Sequence, residues 1–466
     1  MVSSVAYCRR VPDEIKSLIE YGGSLLVKGM AGSGKTSFAL SVLEEFSGGT
    51  PVYVSTRLSQ ESFYRHFPWA RGFLGDENFV DARSPRIPPV EGRLPLKYAS
   101  APEFVEAVYF KLKDGGEPRI VVIDSLDALK FVLNMPYEDI QLEKLLLEMA
   151  EATRSSVVFV AETSGGTPLD YVVDGVVVLR WRLVGGFFLR EAVFEKVRGE
   201  RIAFPVRCFT LKDGLFRLIE PRHYELGEKA SPPPVKKISG RVIPTNIDEL
   251  DEVLGGGLRR GGVIVLDVSV GVGVYYRWIV ILPVLNAVMQ GCPAVFVPST
   301  GFSHFDVENS FKPFFKEKNL ENFIHTIEFA GKGGENAYLV EGEDPVKDAE
   351  RLLGIADSIS KEHSSKDLIM FIGTDTLEHV YGADAAVRMI SRVVAASRSR
   401  GYTLILVAKH GQLCREALFH MSDAHFKLES VNSVTLIQGV NPPTRIYVLT
   451  MGETEGYVKA RLMPVE

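Results

Sequence analysis

The chain has 466 residues, 46% of them hydrophobic, with 53 lysines and arginines against 59 aspartates and glutamates and a formal net charge of −6. That length exceeds what one ordinary core holds and predicts two or three domains, and the apolar fraction excludes a largely disordered chain. The acidic balance argues against a whole-protein electrostatic grip on nucleic acid, and Cys8, Cys208, Cys292 and Cys414, with no CxxC pair, indicate neither a disulfide framework nor a zinc knuckle.

Residues Met1–Glu14 contain no apolar core of signal-peptide length. The short apolar run Ser24–Val27 then leads into Gly29-Met30-Ala31-Gly32-Ser33-Gly34-Lys35-Thr36, followed by the helical stretch Ser37–Phe46. The octet satisfies G-x-x-x-x-G-K-[ST] at every position, and its strand–loop–helix setting predicts a phosphate-binding loop. Gly29, Gly32 and Gly34 let backbone N–H groups approach the phosphates, and the following helix, from Ser37 on, adds its positive end. Lys35 is expected to reach the β- and γ-phosphates of ATP, and the Thr36 hydroxyl to coordinate Mg²⁺. A plain glycine-rich turn is the bland alternative, and the complete motif argues against it.

Further along come a strand at Pro51–Thr56, a helical region through Phe67, a short strand near Asn78–Asp81 and a helix at Ala101–Lys113. Strand Arg119–Asp124 ends in a carboxylate, which an intact upstream loop makes a candidate Mg²⁺ partner acting through water. Helix Tyr137–Thr153 and strand Ser156–Ala161 follow. Strands alternating with amphipathic helices imply a mostly parallel, doubly covered sheet.

The segment 224–240, with Ser231-Pro232-Pro233-Pro234, reads as a stiff connector between domains 1–223 and 241–466. The later half repeats the plan, with apolar runs Val263–Leu266, Ala294–Val297, Leu368–Ile372 and Thr403–Ala408 and helices Pro345–Ser360 and Asp384–Ser399. Its most lipid-like stretch, Trp278–Met289, is interrupted by Pro283 and Asn286 and is too short to span a bilayer, so a cytoplasmic protein is expected. The second loop, Val268-Ser269-Val270-Gly271-Val272-Gly273-Val274-Tyr275, keeps two glycines but has Val274 for the lysine and Tyr275 for the hydroxyl. The expected fold is α/β, two tandem P-loop domains of which the second is degenerate and non-catalytic.

Three stretches carry a family resemblance: Val122-Ile123-Asp124-Ser125-Leu126, the entry Leu250-Asp251-Glu252-Val253-Leu254-Gly255-Gly256-Gly257-Leu258, and Lys196-Val197-Arg198-Gly199. Together they resemble the KaiC-type branch of the RecA-like ATPases. Tyr53-Val54-Ser55-Thr56-Arg57 and Phe67-Pro68-Trp69 look like archaeal relatives grouped with the gas-vesicle regulator D family. The resemblance implies a homo-oligomer with nucleotide at a subunit boundary, and Lys196 and Arg198 as basic residues reaching a neighbour's γ-phosphate. A solvated strand-edge pair is an equal alternative for these two.

The family places adjacent glutamates after the second strand, where this chain reads Thr56-Arg57-Leu58. Loss of a general base costs about 10²–10⁴ in rate, so tight binding with slow hydrolysis is expected. Glu61 or Glu162 is an available substitute, and the residues do not choose between them. In the second half Asp375 is an ambiguous metal partner.

His410, Cys414, His420 and His425 match no zinc spacing. The arginines of 180–222 suit nucleic-acid phosphates and equally, interleaved with Glu191, Glu195, Glu200 and Glu220, a subunit interface; nucleic-acid binding is not favoured, since no aromatic-stacking pattern accompanies them. Two function classes follow. One is a nucleotide-controlled regulator or scaffold that presents its second half to a protein partner. The other is a DNA-associated RecA-like ATPase, disfavoured by the acidic balance. Self-phosphorylation as in the clock member would need a working second site, which Val274 opposes.

Overall fold

The computed structural model describes residues 8–83, 101–113, 115–220, 230–315, 320–329, 336–454 and 456–465. The chain forms two compact units whose main spans are Cys8–Pro221 and Arg222–Pro464.

The first unit contains β1 (Cys8–Arg9), β2 (Ser24–Lys28), β3 (Thr50–Ser55), β4 (Phe79–Asp81), β5 (Arg119–Asp124), β6 (Ser155–Ala161), β7 (Gly175–Val184), β8 (Phe187–Val197), β9 (Val206–Thr210) and β10 (Arg217–Ile219). They make one sheet in the order β1-β10-β9-β8-β7-β2-β6-β5-β3-β4. From β7 to β4 every pairing is parallel, and from β7 to β1 every pairing is antiparallel. The middle residues of the parallel strands are apolar because both faces are covered. Alternate residues serve opposite cores: Leu25, Val27, Ile120, Val122, Val158 and Val160 pack with Phe38 of the helix Lys35–Glu45. Leu26, Val121, Ile123, Val157 and Phe159 pack with Phe104 and Leu146 of helices Ala101–Lys113 and Gln141–Thr153.

The second unit contains β11 (Val242–Ile243), β12 (Leu258–Arg259), β13 (Val263–Val268), β14 (Ala294–Val297), β15 (Ile324–Glu328), β16 (Ala337–Leu339), β17 (Ile369–Gly373), β18 (Thr403–Lys409), β19 (Ala424–Val431), β20 (Val434–Asn441), β21 (Pro443–Thr454) and β22 (Tyr457–Pro464). Its large sheet runs β16-β15-β14-β17-β18-β13-β19-β20-β21-β22, parallel from β16 to β19. With β13 set against β2, the strands β19-β13-β18-β17-β14-β15 follow the order of β7-β2-β6-β5-β3-β4, and β16 is added at the edge. The α/β class and the mostly parallel sheets therefore stand as expected. The antiparallel ribbons beyond β7 and β19 are additional.

Three local differences have physical causes. The helix expected from Tyr137 begins at Gln141, because the buried Lys130 ammonium draws the Tyr137 and Asp139 carbonyls into a turn at 2.8 and 2.6 Å. The helix Trp278–Val288 continues through Pro283, with all its residues buried, so neighbouring packing offsets the missing backbone bond. Residues 224–229 of the expected connector lie outside the described residues, whereas Lys236 is laid onto its own unit: its backbone N–H donates to Asn286 at 2.8 Å and its ammonium pairs with Asp248 and Asp251. Among the described residues no helix is long and apolar enough to cross a membrane.

Candidate functional site

The phosphate loop leaves the carboxyl end of β2, a strand flanked by β6 and β7 in the middle of the sheet. Ligands in open α/β sheets gather at this edge. Gly29 has φ +154°, and a Cβ there would lie 2.3 Å from the Leu179 carbonyl oxygen. Only glycine lets the loop pass β7 so closely. Gly34, at φ +99°, caps the helix Lys35–Glu45, and a Cβ on it would press on Leu211 at 3.1 Å. Met30, Ala31 and Gly32 are exposed on the loop's outer side, and Ser33, Lys35 and Ser37 are buried beneath it. Arg190 of β8 donates to the Gly32 carbonyl at 3.0 Å, tying the loop to the antiparallel ribbon.

Thr36 and Asp124 meet as expected. The Thr36 hydroxyl donates to Asp124 Oδ2 at 2.7 Å. Tyr53 on β3 donates its phenol to the same oxygen at 2.7 Å, a partner the sequence reading missed. Burial pushes the Asp124 carboxyl above the usual range, against the lowering effect of these two hydrogen bonds. Burial and the adjacent Asp124 likewise raise the Tyr53 phenol. A buried carboxylate beside a small hydroxyl, at the mouth of a phosphate loop, suits a hard cation such as Mg²⁺. Asp124 is followed by a cis peptide to Ser125.

The Lys35 ammonium donates to the Gly29 and Met30 carbonyls at 2.8 and 2.9 Å and to Glu162 Oε2 at 3.1 Å. The other oxygen of Glu162 pairs with Arg57 Nη1 at 3.1 Å. Glu162 stands just beyond β6, beside β2, and its own N–H is held by Asp127 at 2.7 Å. Of the two carboxylates left open by sequence, Glu162 is therefore at the loop. Glu61 is exposed and paired with Arg65.

Residues 18–186 match a family model described as the P-loop domain of the GvpD gas vesicle protein. Over almost its whole length the chain also aligns with proteins of Halobacterium salinarum. Protein GvpD2 is 27% identical, covering 93% of this chain and 92% of the relative. Protein GvpD1 is 23% identical, covering 95% and 94%. The chain is a P-loop protein resembling the GvpD group.

In this GvpD-like protein, Lys196 and Arg198 lie away from their own phosphate loop. Val197 pairs with Gly175 at the amino end of β7, so the two basic residues sit at the opposite sheet edge. Lys196 donates to the Asp170 and Val173 carbonyls at 3.0 and 2.5 Å, and Arg198 pairs with Asp174 at 2.6 Å. Both are held at that edge by groups of their own chain.

The second half of the GvpD-like chain keeps the scaffold but not the donors. Val274 is 56% exposed where the first loop has buried Lys35. Tyr275 puts a bulky, largely buried phenol where the first loop has the compact Thr36 hydroxyl, and burial pushes that phenol up to about 12. Asp375 lies in the first turn of the helix Thr374–Tyr381, where it pairs with Lys409 at 2.8 Å and accepts the Thr300 N–H at 3.1 Å. Among the described residues no group of three or more His, Cys, Asp or Glu could hold a metal ion. His425 stacks on Phe419 with ring centroids 4.0 Å apart, and Cys414 is buried. In the arginine-rich segment, Arg180 and Arg182 both pair with Glu191, and Arg207 with Glu14 and Glu220.

Proposed function

We propose that this GvpD-like chain is a nucleotide-controlled regulator that works as a cytoplasmic homo-oligomer. ATP–Mg²⁺ occupies the first half alone. Lys35 and the loop Gly29–Ser37 hold the phosphates, and Thr36 and Asp124 hold the metal. Lys196 and Arg198, at the far sheet edge, are then available only to a neighbouring copy's nucleotide. The observation that carries this reading is the contrast between Lys35–Thr36–Asp124 and Val274–Tyr275 with its internal Lys409–Asp375 pair.

Hydrolysis is slow, because Thr56-Arg57-Leu58 after β3 offers no carboxylate to orient the attacking water. Bound nucleotide favours one of two conformations, and the second half presents a surface to a protein partner. The test is solution mass with and without ATP–Mg²⁺. An ATP-dependent assembly that Arg198→Ala weakens supports the reading. A size indifferent to ATP contradicts it.

A further inference from the structure

We propose that Arg57 is the residue by which the first half tells a nucleoside triphosphate from a diphosphate. The inference rests on nucleotide binding at Lys35 and adds a specificity determinant to that site.

Two cations share one carboxylate at the mouth of the loop. Glu162 gives Oε2 to Lys35 and Oε1 to Arg57, both at 3.1 Å. The group Lys35–Glu162–Arg57 therefore keeps one positive charge in excess, and Glu162 is the anion that an entering phosphate replaces. Lys35 is rooted in the loop by the Gly29 and Met30 carbonyls and serves the β- and γ-phosphates from one side. Arg57 is the next cation outward. A triphosphate carries a γ-phosphate out to it, and a diphosphate does not.

Arg57 is placed rather than free to wander. The neighbouring Thr56 N–H and hydroxyl donate to the Asp124 carbonyl at 2.9 and 3.0 Å, and the Ser125 N–H donates to the Thr56 hydroxyl at 2.8 Å. These bonds pin the end of β3 to the end of β5, next to the metal-side carboxylate. The guanidinium itself is about half exposed, so it can exchange Glu162 for a terminal phosphate without breaking a core. Its planar fork matches two phosphate oxygens, which a lysine point charge does not. Glu162, held at its backbone by Asp127, remains as the internal competitor.

Binding of ADP and of a non-hydrolysable ATP analogue, each with Mg²⁺, is measured by calorimetry on the full chain. Arg57→Ala should weaken the analogue about tenfold with little change for ADP, erasing the preference. Arg57→Lys should restore part of it. Glu162→Gln should tighten the analogue, because the competing anion is gone. Equal losses for both nucleotides in Arg57→Ala, or none, would overturn the role of Arg57 while leaving nucleotide binding intact. A wild-type chain that binds neither nucleotide would overturn the site reading, and this inference with it.

Discussion

The Thr36 hydroxyl rests 2.7 Å from Asp124 Oδ2, joining the first turn after the phosphate loop to the end of the strand two places away in the sheet. The bond brings a neutral and an anionic oxygen together where a cation bridging to phosphate would sit. Asp124→Asn should keep the fold and weaken Mg²⁺-dependent nucleotide binding by about tenfold or more, with far less effect on binding in chelator. Titration of nucleotide with and without Mg²⁺ checks this.

Lys35→Ala should abolish measurable nucleotide binding at concentrations that saturate the wild type. It also takes the donor from the Gly29 and Met30 carbonyls while Glu162 keeps Arg57 as its partner, so the thermal midpoint of the first unit should fall modestly. A large loss of stability would show Lys35 to be mainly a structural cation.

Gly29→Ala tests the loop's fit to β7. The added Cβ would meet the Leu179 carbonyl oxygen at 2.3 Å in a backbone conformation that L side chains rarely adopt. We expect a loss of at least about 2 kcal/mol in denaturant unfolding of the first unit. Gly32→Ala, with nothing within 4 Å of its Cβ, should cost less despite its φ of +74°.

How far residue patterns alone reach is shown by Glu162 and Glu61. Motif, strand ends and the loss of Lys at Val274 are local features, and all are readable from spacing. Choosing Glu162 needs the strand order, because only the adjacency of β6 to β2 brings its end to the loop. Tyr53 was hidden for the same reason: a buried aromatic on an apolar strand reads as core until β3 is set beside β5. The antiparallel ribbon β7–β8 escaped because its arginines and exposed aromatics look like surface, although Arg190 closes back onto Gly32. The Lys409–Asp375 pair likewise joins the end of β18 to the first turn of the helix that follows the adjacent β17.

Acid sensitivity should appear in the second unit. Burial and the neighbouring His363, Nε2 to Nε2 at 3.3 Å, lower the His325 pKa to about 4. The unfolded chain, near 6.5, binds this proton more readily than the native one, so stability is full above pH 6.5 and falls as pH drops toward 4. The loss should approach about 3 kcal/mol and level off below that. His325→Phe should flatten this part of the pH profile of the second unit's unfolding transition.

The central claim is the inequality of two halves built on one topology, and counting bound nucleotide tests it most directly. Native mass spectrometry in ATP–Mg²⁺ should show one nucleotide per chain, lost in Lys35→Ala and retained in Asp375→Asn. Two nucleotides per chain, or one that survives Lys35→Ala and disappears in Asp375→Asn, would contradict the account.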